Sequence, residues 1–163
     1  MGALATGSSS RSGRARRARP DRQKIASLPV VWPRHRGLRT LGLGHPGAMR
    51  DRLNALVLTG EKYATAGLWH RDYVAESEPL DHAGEQQILL DSGGEPLATV
   101  EIVRVEVRRF IDVPLEFAQA EGEGFQSIEE WRSGHSDYWL GTGVDVQDDT
   151  PVVCVWFRAS VDP

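Results

Sequence analysis

The chain has 163 residues, of which 40% are hydrophobic and 26% charged, and a net charge of −4, which is typical of a globular protein with one core. No apolar run approaches the roughly 18 residues of a membrane span, and no apolar segment follows the basic start as a secretory signal requires, so we expect a cytoplasmic protein without a membrane partner. The single cysteine, Cys154, excludes an internal disulfide or a multi-cysteine zinc cluster, and its apolar neighbours predict a buried thiol.

Charge is divided unevenly along the chain. Residues 1–40 carry nine arginines and Lys24 against one acid, Asp21, so their net charge is +9 and residues 41–163 carry −13. The basic part is rich in Gly, Ser and Ala and has no apolar periodicity, so it cannot bury enough surface to offset the entropy of ordering. We predict a disordered Arg-rich segment at residues 1–40 and one domain at residues 41–163.

Three interpretations of the basic segment stay open. It is an arm that contacts nucleic acid, a targeting segment, or an extension without a function. Near its end, Val30, Val31 and Trp32 form a short apolar patch and are candidates for contact with the domain.

An amphipathic helix is predicted within the stretch HPGAMRDRLNALVLTG. Its apolar residues recur with a period of about 3.6, and Gly60 stands where a left-handed residue commonly ends a helix. The β-branched and aromatic residues that follow predict a strand beginning near Tyr63 or Thr65. The stretch TGEKYATAGLW therefore joins a helix to a strand and carries Lys62 and Thr65 three residues apart.

A β-hairpin is predicted next, with strands at residues 86–90 and 97–110 around a glycine-rich turn. The second strand alternates valine with charged residues from Val103 to Arg108, which predicts one buried face.

Short helices and a last strand complete the predicted elements. A short helix is expected in PLEFAQAEGEG, and Ser127 with Glu130 forms a capping box for another. The continuous apolar run PVVCVWFRASV is of strand type and is expected to close the sheet. This mixture predicts an α+β domain around a small barrel or a strongly curled sheet.

These elements carry a resemblance to a known family. The order GEKYATAGL, EPLDHAGEQQILLD, GGEPLATVEIVRVEVRRFIDV, FAQAEGEGFQSIEEWRSGH and PVVCVWFR resembles the ASCH domain family, over about residues 42–160. The resemblance implies a PUA-like β-barrel flanked by short helices, with a nucleoside or RNA ligand in a cleft beside the barrel. Some members deacylate N4-acylated cytidine, and others are described as ribonucleases.

The resemblance also implies a catalytic set. Lys62 and Thr65 match the family's KxxT element, and Glu123 is the best match for its glutamate, with Glu121 as the alternative. The family often has arginine or serine where this chain has Gly67, and glycine offers no side chain to bind a phosphate or a base edge.

The chemistry of these groups is consistent with amide hydrolysis. A lysine becomes a base when desolvation lowers its pKa from about 10.4, a threonine hydroxyl with an adjacent base is a nucleophile, and a glutamate in an apolar pocket protonates a leaving amine. We therefore assign Lys62 as base, Thr65 as nucleophile and Glu123 as acid, with no metal or cofactor. The alternative is structural: a solvated lysine at a helix end and a threonine chosen for its strand propensity.

Four further residues are candidates for substrate binding. Tyr63 and Trp69 flank the lysine and threonine and could stack on a base; Glu121 and His135 are the other two. The charge of −13 disfavours a long polyanion on the domain itself and favours a small nucleoside. Two other hypotheses stay open: an RNA-binding module or ribonuclease helped by the basic segment, and a noncatalytic domain that senses a nucleoside.

Overall fold

The structure, a computed structural model, describes residues 32–160. In chain order the strands and helices are β1 Arg34–His35, β2 Leu38–Leu41, α1 Ala48–Leu58, β3 Ala64–Leu68, a π-helix Trp69–Val74, β4 Gln86–Leu90, β5 Pro96–Arg109, a 3₁₀-helix Phe110–Asp112, α2 Leu115–Ala120, α3 Ile128–Gly141 and β6 Pro151–Ser160. The predicted α+β class is confirmed, and so are the predicted helix in residues 45–60, the hairpin and the capped helix α3. None of the described helices is both long enough and apolar enough to span a bilayer.

The strands form one mixed sheet in the order β1-β2-β4-β5-β6-β3. β2 and β4 are parallel, and all other neighbours are antiparallel. Within residues 32–160 no ladder joins the edge strands β1 and β3, so the sheet is not closed by hydrogen bonds. The last strand does not close the sheet as predicted, because it lies inside the sheet between β5 and β3.

The interior position of β6 explains its continuous apolar sequence. Val152 and Cys154 point into one hydrophobic cluster, which includes Trp131 and Trp139 of α3. Val153, Val155 and Phe157 point into a second cluster on the other face, which α1 covers. A strand that is buried on both faces needs apolar residues at every position. Burial also raises the pKa of the Cys154 thiol to about 12, as expected for an unreactive interior cysteine.

Residues 32–40 belong to the folded domain, although the predicted boundary put them in the basic segment. β1 and β2 pair with each other, and β2 pairs with β4. Trp32 is buried, and its indole N–H donates to the carbonyl oxygen of Asp72 at 2.6 Å. Arg39 is buried against the carboxylates of Glu85 and Asp81, so its charge is matched by acids distant in sequence. Val30, Val31 and the rest of the basic segment lie outside the described residues.

The predicted buried valine face of β5 is wrong in the second half of the strand. Val103 and Val107 are exposed. The register of β5 against β6 shifts between Ile102 and Arg104, and β4 pairs with β5 only as far as Glu101. Beyond that point no described strand pairs with β5 on the β4 side, and both valines face solvent there.

Candidate active site

A cavity of about 530 Å³ lies beside the sheet. Its walls come from the β2–α1 loop, α1, β3, the π-helix, the segment after α2, and α3. The volume is in the range of small-molecule sites in proteins, about 300–1,000 Å³. Five of the candidate residues line this cavity: Lys62, Thr65, Glu121, Glu123 and His135.

Backbone contacts bring the lysine and the glutamates together. The Lys62 amide donates to the carbonyl oxygen of Leu56 at 2.9 Å, and the Tyr63 amide donates to that of Ala120 at 3.0 Å. Gly122 has φ +67°, and a Cβ there would lie 2.1 Å from the Glu61 carbonyl oxygen. Only glycine permits so close an approach in that conformation, so the glycine of AEGEG seats the glutamate loop against the backbone of Lys62.

Lys62 is a buried cation with carboxylate neighbours. Its side chain is 2% exposed, and its Nζ donates to Glu123 Oε2 at 3.1 Å. The same Nζ donates to the Glu121 carbonyl oxygen at 3.3 Å and lies 4.0 Å from Glu121 Oε1. The predicted alternative of a solvated helix-end lysine is therefore wrong for Lys62. The Glu123 side chain is 13% exposed, so it reaches both the lysine and the cavity.

Glu121 forms a second charged pair deeper in the site. Its Oε2 accepts from the Trp131 indole N–H at 2.5 Å and lies 3.1 Å from His135 Nε2. Burial acts to raise the pKa of Glu121, but the charges of His135 and Lys62 and these hydrogen bonds outweigh burial and lower it. Burial acts to lower the pKa of His135, and the Glu121 carboxylate outweighs that effect and raises it. Each group therefore favours the charged form of the other.

The His135 ring is also held in a fixed orientation. Its Nδ1 lies 3.0 Å from the carbonyl oxygen of Trp131, and its ring stacks on the Trp131 indole with centroids 4.2 Å apart. Both ring nitrogens have acceptors, which suits the doubly protonated ring. His135 thus anchors Glu121 while one side of its ring faces the cavity beside Phe125.

Thr65 lies in β3 opposite Val155 of β6 and lines the cavity. Among the hydrogen bonds of the described residues none involves its Oγ1, so the hydroxyl is available to a ligand. The alternation of β3 points Thr65 away from the cluster that holds Ala64 and Leu68. Lysine, threonine and glutamate therefore share one cavity, although no direct hydrogen bond joins Thr65 to Lys62.

Tyr63 and Trp69 do not line the cavity. Tyr63 is 49% exposed, because it directly follows the inward-facing Lys62. Trp69 packs on the second cluster and stacks on Tyr73 at 5.9 Å. Their expected contact with a base is therefore not supported by this arrangement.

Other rings occupy the place expected for Tyr63 and Trp69. Tyr73, Phe125, Tyr138 and Trp139 line the cavity. Tyr138 and Trp139 follow His135 at the three- and four-residue spacing that shares one helix face, which is a signal that the sequence already contains.

Gly67 lies next to the carboxylate of Asp72 and the ring of Tyr73. A Cβ at this position would lie 3.4 Å from Asp72 Oδ2 and 3.4 Å from the Tyr73 ring. The Asp72 carboxylate accepts the Leu68 amide at 2.7 Å and pairs with Arg71. Arg71 also lines the cavity, and neither Arg71 nor Asp72 was among the predicted site residues.

The glutamates and His135 also have a spacing that metal ligands could use. Glu121, Glu123 and His135 each offer one ligand atom within 4.8 Å of the others. The Lys62 ammonium group already contacts both glutamates, and the indole N–H of Trp131 occupies one carboxylate oxygen. A divalent cation in this position would face the positive charge of Lys62, so these residues fit a metal poorly.

The sequence model of the ASCH domain matches residues 41–160. The chain belongs to the ASCH domain family. Its fold is similar to that of protein EF3133 from Enterococcus faecalis V583, with 30% identity and a TM-score of 0.64 over 72% of this chain and 73% of that one. It is also similar to an ASCH domain from Lactobacillus crispatus JV V101, with 26% identity and a TM-score of 0.58 over 68% and 71% of the two chains. A comparison with curated proteins finds no match.

The cavity residues Lys62, Thr65, Glu121, Glu123 and His135 all lie within the matched ASCH region. The region also includes β3 and α3, which form two of the cavity walls, and β6, which lies in the core.

Proposed function

We propose that this ASCH-domain protein is an amidohydrolase that removes the acyl group from an N-acylated nucleoside such as N4-acetylcytidine. The observation that carries the proposal is the buried Lys62–Glu123 pair in the same cavity as the Thr65 hydroxyl. Burying an ammonium group is costly even when it is paired, so a buried lysine–carboxylate pair that lines a small-molecule-sized cavity is a candidate functional site.

The first half of the proposed reaction acylates Thr65. Lys62 passes a proton to Glu123 across their 3.1 Å contact and becomes a neutral amine. It then accepts the hydroxyl proton as Thr65 Oγ attacks the acyl carbonyl carbon. Glu123 gives its proton to the N4 nitrogen while the C–N bond breaks, so cytidine leaves as the neutral amine and Lys62 and Glu123 regain their starting charges.

The second half hydrolyses the acyl-threonine ester. Glu123 accepts a proton from the attacking water, and the ester C–O bond to Thr65 breaks as Lys62 donates a proton to the threonine oxygen. The proton on Glu123 then returns to Lys62, so the free carboxylic acid leaves and both groups regain their starting charges. Glu121 and His135 do not exchange protons in this scheme. Their ion pair fixes Glu121 beside Lys62 and keeps the lysine in place. The reaction uses no metal or cofactor.

The test is deacylation of N4-acetylcytidine by the purified full-length chain, followed by chromatography of the released cytidine. Lys62→Ala, Thr65→Ala and Glu123→Gln should each lower kcat/KM by about 10²-fold or more, since acid–base groups typically contribute that much. Glu95→Gln is the matched control for Glu123→Gln, because Glu95 is exposed in a turn and does not line the cavity. Absence of turnover by the folded wild-type chain, or Thr65→Ala activity within tenfold of wild type, would contradict the proposal.

A second candidate function is RNA binding, with or without cleavage. The observation that favours it is the net charge of +6 in residues 1–31, which carry six arginines and Lys24 against Asp21, since basic segments bind phosphates. RNA affinity of the full chain that falls steeply with salt, and is lost when residues 1–31 are deleted, would support this function. Nucleoside binding without turnover of amide or RNA would instead indicate a sensing domain.

A further inference from the structure

Arg50 is a cavity-lining cation that backbone carbonyl groups hold in place. Its Nε donates to the carbonyl oxygen of Leu43 at 3.0 Å, its Nη2 to that of Gly44 at 3.0 Å and its Nη1 to that of Asp91 at 3.4 Å. The β2–α1 loop wraps closely around the guanidinium, because a Cβ at Gly42 would lie 3.1 Å from Nη2. These carbonyls orient the group but leave its charge unneutralised.

The other cations of the cavity are paired with acids. Lys62 contacts Glu123 at 3.1 Å, and Arg71 contacts Asp72 at 2.7 Å. No ion pair of Arg50 occurs among residues 32–160. The nearby Asp91 carboxylate instead accepts the amides of its own turn, at Gly93 and Glu95. A guanidinium has more N–H donors than the three that the carbonyls use, so Arg50 retains both charge and donors for an anion.

Arg50 and Lys62 line the same cavity from different places along the chain. Arg50 lies near the start of α1, and Lys62 follows the end of that helix. At 1.5 Å per residue, the backbones of Arg50 and of Leu56, whose carbonyl oxygen accepts the Lys62 amide, are on the order of 9 Å apart along the helix axis. The two cations therefore belong to separate parts of the cavity wall. The Tyr138 ring lines the same cavity.

We propose that Arg50 binds the 5′-phosphate of the ligand, so that the preferred substrate class is an N-acylated nucleotide rather than a free nucleoside. This inference rests on the proposed nucleoside site and specifies its ligand. Arginine binds phosphate through two parallel N–H groups, which the held guanidinium can present. The same chemistry would recognise a phosphate within RNA, and the experiment separates the two sources.

The experiment measures binding, so it does not depend on turnover. Isothermal calorimetry compares cytidine, cytidine 5′-monophosphate and a short oligocytidine on the full-length chain. The wild type should bind the monophosphate about 10- to 100-fold more tightly than cytidine, as expected for a charge-assisted hydrogen bond. In Arg50→Gln the ratio of the two Kd values should fall to about one, and Arg50→Lys should keep part of it.

Arg158→Gln is the matched control. Arg158 is 68% exposed, pairs with Glu101 on the sheet and does not line the cavity, so its loss should leave the ratio unchanged. If the wild type binds cytidine and cytidine 5′-monophosphate with nearly equal Kd values, the inference is overturned. It is also overturned if folded Arg50→Gln has the same ratio of Kd values as the wild type. An Arg50-dependent preference for oligocytidine over the monophosphate would assign the phosphate to RNA. If the Arg50-dependent preference for the monophosphate is observed but N4-acetylcytidine is not deacylated, the inference stands and the proposed amidohydrolase function is refuted.

Discussion

Replacing Glu123 with glutamine tests whether Lys62 is held as a buried ammonium group. The Lys62 side chain is 2% exposed, and its shortest contact is the ion pair with Glu123 at 3.1 Å. Glutamine keeps the shape of glutamate but removes its charge. The glutamine oxygen can still accept a hydrogen bond, but the carboxylate that remains beside Lys62 is that of Glu121 at 4.0 Å, together with the Glu121 carbonyl oxygen at 3.3 Å. We expect Glu123→Gln to be less stable than the wild type, and Glu123→Gln/Lys62→Met to recover most of the loss.

The size of the loss follows from the charges. With an effective dielectric constant of about 20, the attraction across 3.1 Å is about 5 kcal/mol and that across 4.0 Å is about 4 kcal/mol. Desolvation costs several kcal/mol for each buried ion, and removing one partner of a buried pair typically costs about 3–5 kcal/mol. We expect the lower end, about 3 kcal/mol, because Glu121 remains beside Lys62. For a chain of this size that lowers Tm by roughly 6–12 °C.

The double variant should recover because methionine removes the unpaired charge and fills the same space. Thermal and urea unfolding at pH 7, followed by circular dichroism, measure all three proteins, and Glu95→Gln in the exposed turn before β5 is the control. A Glu123→Gln protein within about 0.5 kcal/mol of wild type, the usual range for surface changes, would refute the reasoning. So would a double variant no more stable than the single one.

Three further predictions concern the surroundings of this pair. Gly122→Ala should prevent the glutamate loop from seating and cost more than about 3 kcal/mol, because its Cβ would overlap the Glu61 carbonyl oxygen at 2.1 Å; a Tm within 2 °C of wild type, against roughly 2–4 °C for each kcal/mol, would count against it. The stability advantage of wild type over His135→Gln should be complete below pH of about 6.5. It should be lost as pH rises through the raised folded-state pKa, and urea unfolding at a series of pH values measures it; an advantage that grows with pH would exclude the charged pair with Glu121. Gly67→Ser should fold with little change in Tm, because its Cβ contacts begin at 3.4 Å, and a large fall in Tm would show that the pocket wall cannot hold a side chain there.

The sequence by itself determined the class of fold and the identity of the family. Periodicity and capping depend on neighbouring residues only, so α1, the β-hairpin and the capped helix α3 could be read directly. The stretch from Thr59 to Trp69 predicted a helix end near Gly60 and a strand that contains Thr65. Both features are present. The positions of these helices and strands along the chain were therefore predictable from neighbouring residues.

The position of the strands within the sheet depended on tertiary structure. β6 lies inside the sheet rather than closing it, and β5 becomes an edge strand beyond Glu101. Both facts depend on which distant segments pair, and no local pattern encodes that choice. Residues 32–40 joined the domain for the same reason, since the acids that neutralise Arg39 come from a segment more than forty residues later.

The tertiary structure also decided which polar groups meet in the cavity. The sequence named the lysine, the threonine and the glutamates, but the contact between Lys62 and Glu123 exists because Gly122 lets their backbones approach. The sequence did not indicate that Tyr63 faces solvent. Alternation along an extended segment shows which side chains share a face, but not which face the rest of the protein covers. Arg50 was hidden on the polar face of an ordinary amphipathic helix. Its place in the cavity wall, with backbone carbonyl oxygens around its guanidinium group, depends on the tertiary structure, because burial and pairing are properties of the assembled fold.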